Sequence, residues 1–326
     1  MHRTQPAAFD FVALYAGARL VATGQGHLVT DGDALLAMER AAQPDRTVLL
    51  NNPNVPALSG VLAPLGALPY DAAFVVMLTI STAALAAAAV LLGPLARADQ
   101  RGRLLIFALL APPSLIALLQ GQTTALVLLG VAASLRTTGL VSGLLLGAVA
   151  FRPQLLPLLA LAVLRDRSKA LGLLLACAGV ALLSLLVAGP EGLARYPARL
   201  ADVAAEVGRN EISVPALARR LGVDAWTALG VAAVLTAAAL PVVMRARSAV
   251  PAGAVAALLA APHALLHDVV FAYPAAALSA VSSRLAWSWG LAATAGTIAQ
   301  LLGVPALQVA LAVLLVTVVR RRPPAS

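Results

Sequence analysis

The sequence predicts an all-α, polytopic membrane protein, a bundle of about 10–11 transmembrane helices with outward-facing loops and short amphipathic helices. Three observations carry that prediction. Of 326 residues, 61% are hydrophobic and only 11% are charged, less than half of the roughly 25% charged share of a soluble domain. Mean hydropathy is +0.91, with Ala, Leu and Val crowding most of the chain. The apolar runs recur along the sequence and are punctuated by short corners rich in Arg, Gly or Pro. This composition excludes a soluble globular enzyme and a disordered chain, and an aromatic share of 4% leaves no soluble β-sandwich core. The single cysteine, Cys177, lies in an apolar run, can form no internal disulfide and carries no information about the redox compartment.

In chain order, residues 10–23 and 33–42 read as helices and the Pro/Asn-rich 51–56 stretch as an irregular loop. Apolar stretches then run at 72–96, 104–119, 122–135, 138–150, 154–164, 170–189, 225–244, 250–262, 269–282, 285–302 and 304–319. Several fall short of the roughly 20 residues of a full span, so short neighbours such as 138–164 could instead merge. Arginine placement tests the choice. Eleven crossings put 97–103, Arg136, 165–169, 245–247, Arg284 and 320–322 on one side, where 13 Lys and Arg face only Asp99 and Asp166, a net of +11. The other side holds 10 Arg against 12 acids, a net of −2, and the two recover the chain's +9. Merging 138–164 moves the Arg165-Asp166-Arg167-Ser168-Lys169 cluster to the opposite side. Arg-rich loops are cytoplasmic by the positive-inside rule, so a pI of about 11.1 is a topology signal and nucleic acid is not an expected partner.

The expected organisation is an extracytoplasmic segment 1–71, a transmembrane bundle 72–322 with an extracytoplasmic 190–224 loop, and a cytoplasmic tail 323–326. Longer loops gather on the outer side, and long loops carry function more often than short ones. In the 190–224 loop, Leu200, Val203 and Val207 recur at helical spacing, with Arg199, Asp202 and Glu206 elsewhere around the helix. This reads as an amphipathic helix on the bilayer surface or as an element capping the bundle. No apolar segment precedes residues 1–71, so either a short tail crosses unaided or a first membrane helix lies upstream of Met1; the second is the expectation.

Short spans flank two outer corners, Phe151-Arg152-Pro153-Gln154 and His263–Asp268. A 13-residue helix covers about 20 Å of a roughly 30 Å hydrocarbon core. Such corners lie below the outer surface, and non-helical backbone is tolerated there only where it lines an enclosed or wet cavity. A recessed, polar, outward-opening cavity is expected.

Charged groups at that depth are functional candidates. Asp10 stands among apolar neighbours in Phe9-Asp10-Phe11-Val12, and it is either a reactive acid or a helix N-cap. Asp31-Gly32-Asp33 has the D-x-D form that can hold a divalent metal, but both acids precede a helix and suit capping, so they are weak metal candidates. Arg152 is a fixed cation between two short apolar helices, an anion site or a snorkelling side chain, with Gln154 beside it. Gln122, after Gly121, can cap a helix or bind a ligand. His267-Asp268 pairs an imidazole with an acid and can donate to a phosphate. His263 shares a helix face with His267 only if that corner is helical, and the pair has no third metal ligand.

In this order the motifs resemble glycosyltransferase family eighty-seven, the polyprenol-phosphate-mannose-dependent mannosyltransferases of bacteria, within the GT-C membrane class. The likeness begins at Asp10-Phe11 with Tyr15 and Ala18-Arg19, and continues through Leu28-Val29-Thr30-Asp31, Pro53 and the Leu62-Ala63-Pro64-Leu65 … Leu68-Pro69-Tyr70 run. Gly121-Gln122-Thr123-Thr124 is similar to the family's Gly-Gln-x-Asn/Thr corner, Arg152-Pro153-Gln154 to its Lys-Pro-Gln, and His267-Asp268 to its His-Asp. The family's first membrane helix is expected upstream of Met1, Asn52-Pro53-Asn54 stands where Tyr-Pro-Pro is usual, and Arg replaces Lys at 152, which changes geometry while keeping charge.

The resemblance implies a GT-C-like bundle in the bacterial cytoplasmic membrane, with its C-terminus in the cytoplasm and its active site facing outside. It implies a polyprenyl-phosphate sugar donor, with mannose as the sugar, a glycolipid or glycan acceptor, surrounding membrane lipids and no cofactor. Asp10 is the implied catalytic base of an inverting transfer. Arg152, His267, Gln122, Gln154, Asp268, Tyr15 and Arg19 are the implied donor- and substrate-binding set. The competing reading is a secondary transporter or lipid flippase, which short and broken helices also fit. Against it, the candidate residues gather on one expected side and the two halves show no likeness.

Overall fold

The computed structural model describes residues 10–50, 54–205, 211–246, 248–279, 283–302 and 304–320, with backbone alone at 201–205, 283–287 and 320. It is all-α: among the described residues the only β-type pairing is an isolated bridge between Glu211 and Leu265. The helices are α1 Phe11–Ala22, α2 Gly32–Ala42, α3 Pro56–Gly66, α4 Tyr70–Leu92, α5 Arg101–Leu110, α6 Pro112–Leu119, α7 Thr124–Ser134 and α8 Gly139–Leu146. There follow α9 Leu156–Val163, α10 Arg167–Ala205, α11 Val214–Arg220, α12 Ala225–Arg245, α13 Ala249–Ala260, α14 Tyr273–Ser279, α15 Ser283–Leu301 and α16 Ala306–Arg320.

Among the described residues, three helical stretches are long and apolar enough to cross a membrane: Tyr70–Leu95, Arg167–Leu200 and Ala225–Arg245. The α5–α6 pair makes a fourth if it is one span, bent by 42°. The bend has a local cause. Ala111 precedes Pro112-Pro113, and the residue before a proline is pushed out of the helical region; its φ and ψ are −63° and 142°. The remaining expected crossings correspond to shorter elements. The 138–150 stretch is α8 followed by a 3-10 turn, Gly147–Phe151, and the described part of the 269–282 stretch begins in a 3-10 turn, Leu266–Ala272, and continues as α14. The polytopic all-α class holds, and among the described residues several apolar runs form helices shorter than a full span, as their lengths led us to expect.

Two further differences are local. The expected 190–224 loop is largely helical: α10 continues to Ala205 across a break at Gly189, whose φ of 68° only glycine adopts readily, and α11 follows. Of the amphipathic set, Glu206 and Val207 lie outside the described residues, as do the side chains of Asp202 and Val203. Helix α3 was not expected. It accommodates Pro64 in its interior, a position that sequence reading treats as a helix break.

The chain forms two compact units. The first comprises Met1–Thr82, Leu118–Thr123 and Cys177–Glu206; the second comprises Ala83–Ala117, Thr124–Ala176 and Val207–Ser326. In the first, α1 packs along α3 with small residues at the crossing: a β-carbon on Gly17 would meet the Ser59 hydroxyl, and one on Gly66 would meet the Ala18 backbone. Ala16, Leu20, Val29, Leu35 and Ala188 form a buried cluster beside it. The Thr30 hydroxyl donates to the Gly192 carbonyl at 3.0 Å, and Ala57 N–H donates to Ser184 Oγ at 3.1 Å. In the second unit α13 is the core helix, buried on nearly every face and packed against α9, α12 and α16. Its all-round apolar sequence fits that position. A Tyr273–Ser114 hydrogen bond of 2.6 Å ties α14 to α6.

Candidate active site

In the first unit, Asp10 stands at the start of α1 but its side chain makes no capping hydrogen bond. Its carboxylate Oδ2 instead accepts from Gln122 Nε2 at 2.8 Å. Of the two readings left open by the sequence, the cap is therefore not the one adopted. Asp10 is half-buried, while Gln122 is buried. Gly121 makes the approach possible. Its φ is +66°, and a β-carbon there would lie 2.6 Å from that of Phe11, so both the turn and the contact with α1 require glycine. Phe11 belongs to an aromatic group with Tyr15, Tyr70 and Phe74, whose ring centroids lie 5.3–6.2 Å apart in the four contacting pairs.

Tyr15 and Arg19 lie on the same helix as Asp10 and are engaged by α3. Tyr15 Oη donates to the Leu68 carbonyl and Arg19 Nη1 to the Gly66 carbonyl, each at 2.8 Å. These groups satisfy carbonyls at the C-terminal end of α3, where a cation is also favoured by the helix dipole. Asp31 is a helix cap: its Oδ1 accepts from the N–H groups of Asp33 and Ala34 at 3.1 and 3.0 Å, and Oδ2 lies 3.7 Å from Arg195. Asp33 is exposed. Among the described residues no group of three or more His, Cys, Asp or Glu side chains is placed to hold a metal ion.

In the second unit, Arg152 ends the Gly147–Phe151 turn and is 4% exposed. Its Nη2 donates to Thr124 Oγ1 at 3.0 Å, and its Nη1 lies 3.8 Å from Asp268 Oδ1. His267 Nε2 lies 3.6 Å from the same carboxylate oxygen. The other oxygen, Oδ2, accepts from the Leu265 N–H at 3.0 Å. Burial pushes the Asp268 carboxyl up, but the Arg152 guanidinium, then His267 and the Leu265 N–H, outweigh it and hold the group below its ordinary value of 3.8. Gln154 is half-buried in the turn that follows Arg152. The structure thus places Arg152, His267, Asp268 and Thr124 in one buried cluster.

A neighbouring pair was not expected. Glu211 is 2% exposed, and its Oε1 lies 3.2 Å from His263 Nδ1. Its carbonyl accepts from Gln300 Nε2 at 2.7 Å. Residues 263 and 264 are not helical, so His263 and His267 do not form an i, i+4 pair on one helix face. The first unit also buries Glu39, whose Oε2 accepts from the Leu50 N–H at 3.1 Å and lies 3.7 Å from Arg46. Its carboxyl is raised above the usual 4.5, chiefly by burial, with Leu50 and Arg46 opposing. Glu39 had a sequence signal, since it follows the buried Leu35 by four residues on one face of α2. Glu211 had none, because its burial depends on pairing with Leu265.

These features define a multi-pass helical membrane protein with a buried cationic cluster and a polar acid at a helix start. A model of glycosyltransferase family 87 matches residues 55–267, well over half of the chain, and the chain belongs to that family: it is a membrane glycosyltransferase. No curated protein and no solved structure matches it. Gln122, Arg152, Gln154 and His267 fall within the matched residues, Asp268 adjoins them, and Asp10, Tyr15, Arg19 and Asp31 precede them.

Proposed function

We propose that this glycosyltransferase takes a sugar, mannose, from a polyprenyl-phosphate donor and transfers it with inversion to a hydroxyl of a glycolipid or glycan at the outer face of the bacterial cytoplasmic membrane. The observation that carries the reading is the state of Asp10: a carboxylate at a helix start that does not cap its helix and is oriented by Gln122 at 2.8 Å. Such a group is available to take a proton.

In the proposed step the acceptor hydroxyl oxygen attacks the anomeric carbon while its proton passes to Asp10. The bond between that carbon and the phosphate oxygen breaks, and the electron pair leaves with the lipid phosphate. The sugar passes through an oxocarbenium-like transition state. Arg152 and His267 offset the charge that develops on the departing phosphate, Asp268 and Thr124 fix the guanidinium, and Gln154 orients donor or acceptor. Tyr15 and Arg19 act by holding α1 against α3, which positions Asp10.

Reconstituted protein supplied with radiolabelled polyprenyl-phosphate mannose and a membrane glycolipid extract tests the reading. Labelled glycolipid with inverted anomeric configuration is the expected product. Retention of configuration, or transfer only from a nucleotide sugar, overturns it.

A further inference from the structure

The second unit contains a cavity of about 420 Å³, a volume within the usual range of small-ligand sites. None of its lining residues belongs to the Arg152 cluster. Its polar wall comes from Arg165, Asp166, Lys169 and Ser248, and the rest is apolar, from residues such as Leu135, Val250 and Leu278. We propose that this cavity binds the phosphate group of an anionic amphiphile, with Arg165 and Lys169 as its cationic donors and Ser248 as a hydroxyl donor.

Charge is the first support. Among the described residues neither Arg165 nor Lys169 lies within ion-pair distance of a carboxylate. The one acid in the wall is committed elsewhere, because Asp166 Oδ1 accepts from the Lys169 backbone N–H at 3.0 Å and so closes the first turn of α10. The cavity therefore keeps an excess of one positive charge after Asp166 is counted. Helix starts add to it. Helix α10 begins at Arg167, and α13 begins at Ala249 with an N-cap, Ser248, that makes no capping hydrogen bond. Both positive helix ends border the cavity.

Preorganisation is the second support. Helices α8 and α10 cross so closely that a β-carbon on Gly143 would collide with the Lys169 carbonyl, which fixes the backbone carrying the ammonium. The third is the amphipathic lining: cations and a hydroxyl stand beside an apolar wall, matching a ligand with a charged head and an acyl chain. Basic pockets of this kind, on the Arg-rich side of a membrane protein, suit anionic lipid head groups. Lipid and soluble phosphate share the head-group chemistry, and the apolar wall favours lipid.

The test uses the full chain in neutral detergent, titrated separately with phosphatidylglycerol, phosphatidylcholine and inorganic phosphate, and followed by native mass spectrometry and by Tm. Phosphatidylglycerol is expected to be retained and to raise Tm, and phosphatidylcholine is not. At about fivefold per cation, Arg165→Gln weakens phosphatidylglycerol binding about fivefold, and Arg165→Gln with Lys169→Gln weakens it about twenty-five-fold. Exposed Arg165 provides a variant that folds if the double one does not. A shift produced by inorganic phosphate and lost in Arg165→Gln keeps the phosphate site but assigns it a soluble ligand. Equal binding of the two lipids, or phosphatidylglycerol binding unchanged in Arg165→Gln, overturns the proposal.

Discussion

The acid of the first unit and the cationic cluster of the second are held in opposite ways. Arg152, His267 and Asp268 are each no more than 4% exposed and share overlapping contacts through one carboxylate oxygen. Asp10 is half-buried, and a single described side chain, Gln122, donates to it. The chemistry proposed for each explains the contrast. A general base must exchange its hydrogen-bond donor for a proton and then release it, which a lone partner permits. Groups that stabilise developing phosphate charge act best when they are already in place and need no reorganisation. On the proposed mechanism the rigid cluster stabilises charge and the loosely held carboxylate takes the proton.

The largest expected effect tests the loose side. Asp10→Asn keeps an acceptor for Gln122 but removes the base, and transfer of labelled mannose should fall about 10²–10⁴-fold. Donor KM and Tm should stay near those of the unaltered protein, because the side chain supports no helix cap. A variant retaining more than a tenth of the activity assigns the base elsewhere.

The next effect tests the rigid side. Arg152→Met leaves Asp268 buried without its guanidinium, and removing one partner of a buried pair costs about 3–5 kcal/mol. A clear fall in Tm is expected together with loss of transfer. Adding Asp268→Leu should recover part of the Tm and none of the activity, since the paired substitution removes the stranded charge. If Arg152→Met leaves Tm unchanged, the cluster is not the preorganised element described here.

The two sites were not equally legible in the sequence. Asp10, Arg152 and His267 stood out because charge is scarce in this chain and each interrupts an apolar run. Position along the chain could not say what each side chain does. Asp10 and Asp31 both precede a helix, yet only Asp31 caps one. Tyr15 and Arg19 read as ligand groups, and their hydrogen bonds to the Leu68 and Gly66 carbonyls became visible only once α3 was seen as a helix that ends there. Thr124 looked like part of a corner motif, and its bond to Arg152 spans 28 positions. Most helix boundaries followed the apolar runs closely, although α10 continues well past its run to Ala205, and the runs broken by Pro112 or shared with 3-10 turns gave short helices, as their lengths indicated.

A smaller effect contrasts two buried acids. The Asp268 carboxyl is held low, so its contribution to stability is present above the ordinary carboxylate value of 3.8 and is lost as pH falls through the depressed value. Glu39 is raised, so its contribution is greatest below 4.5 and declines as pH rises through the raised value. Tm measured against pH should therefore show Asp268→Asn removing a loss at the acid end, and Glu39→Gln removing a decline on the less acidic side of 4.5. The same curve for both variants breaks the contrast.

The smallest effect separates the two acids that begin helices. Asp31→Ala removes a cap that accepts from two backbone N–H groups, and loss of such a cap costs about 1 kcal/mol. Its ion pair with Arg195 is partly exposed and adds little. Asp31→Ala should thus lower Tm slightly and leave transfer within about fivefold, equivalent to the same 1 kcal/mol scale. Asp10→Ala, at a helix start without a cap, should do the reverse: Tm nearly unchanged and transfer lost. Activity assays and thermal melts on the two variants decide the point, because a cap and a base placed at the same helical position respond in different observables. Should Asp31→Ala lose transfer as completely as Asp10→Ala, with activity restored by added Mn²⁺ at high concentration, the D-x-D acids hold a metal and the division of roles between Asp10 and Asp31 falls.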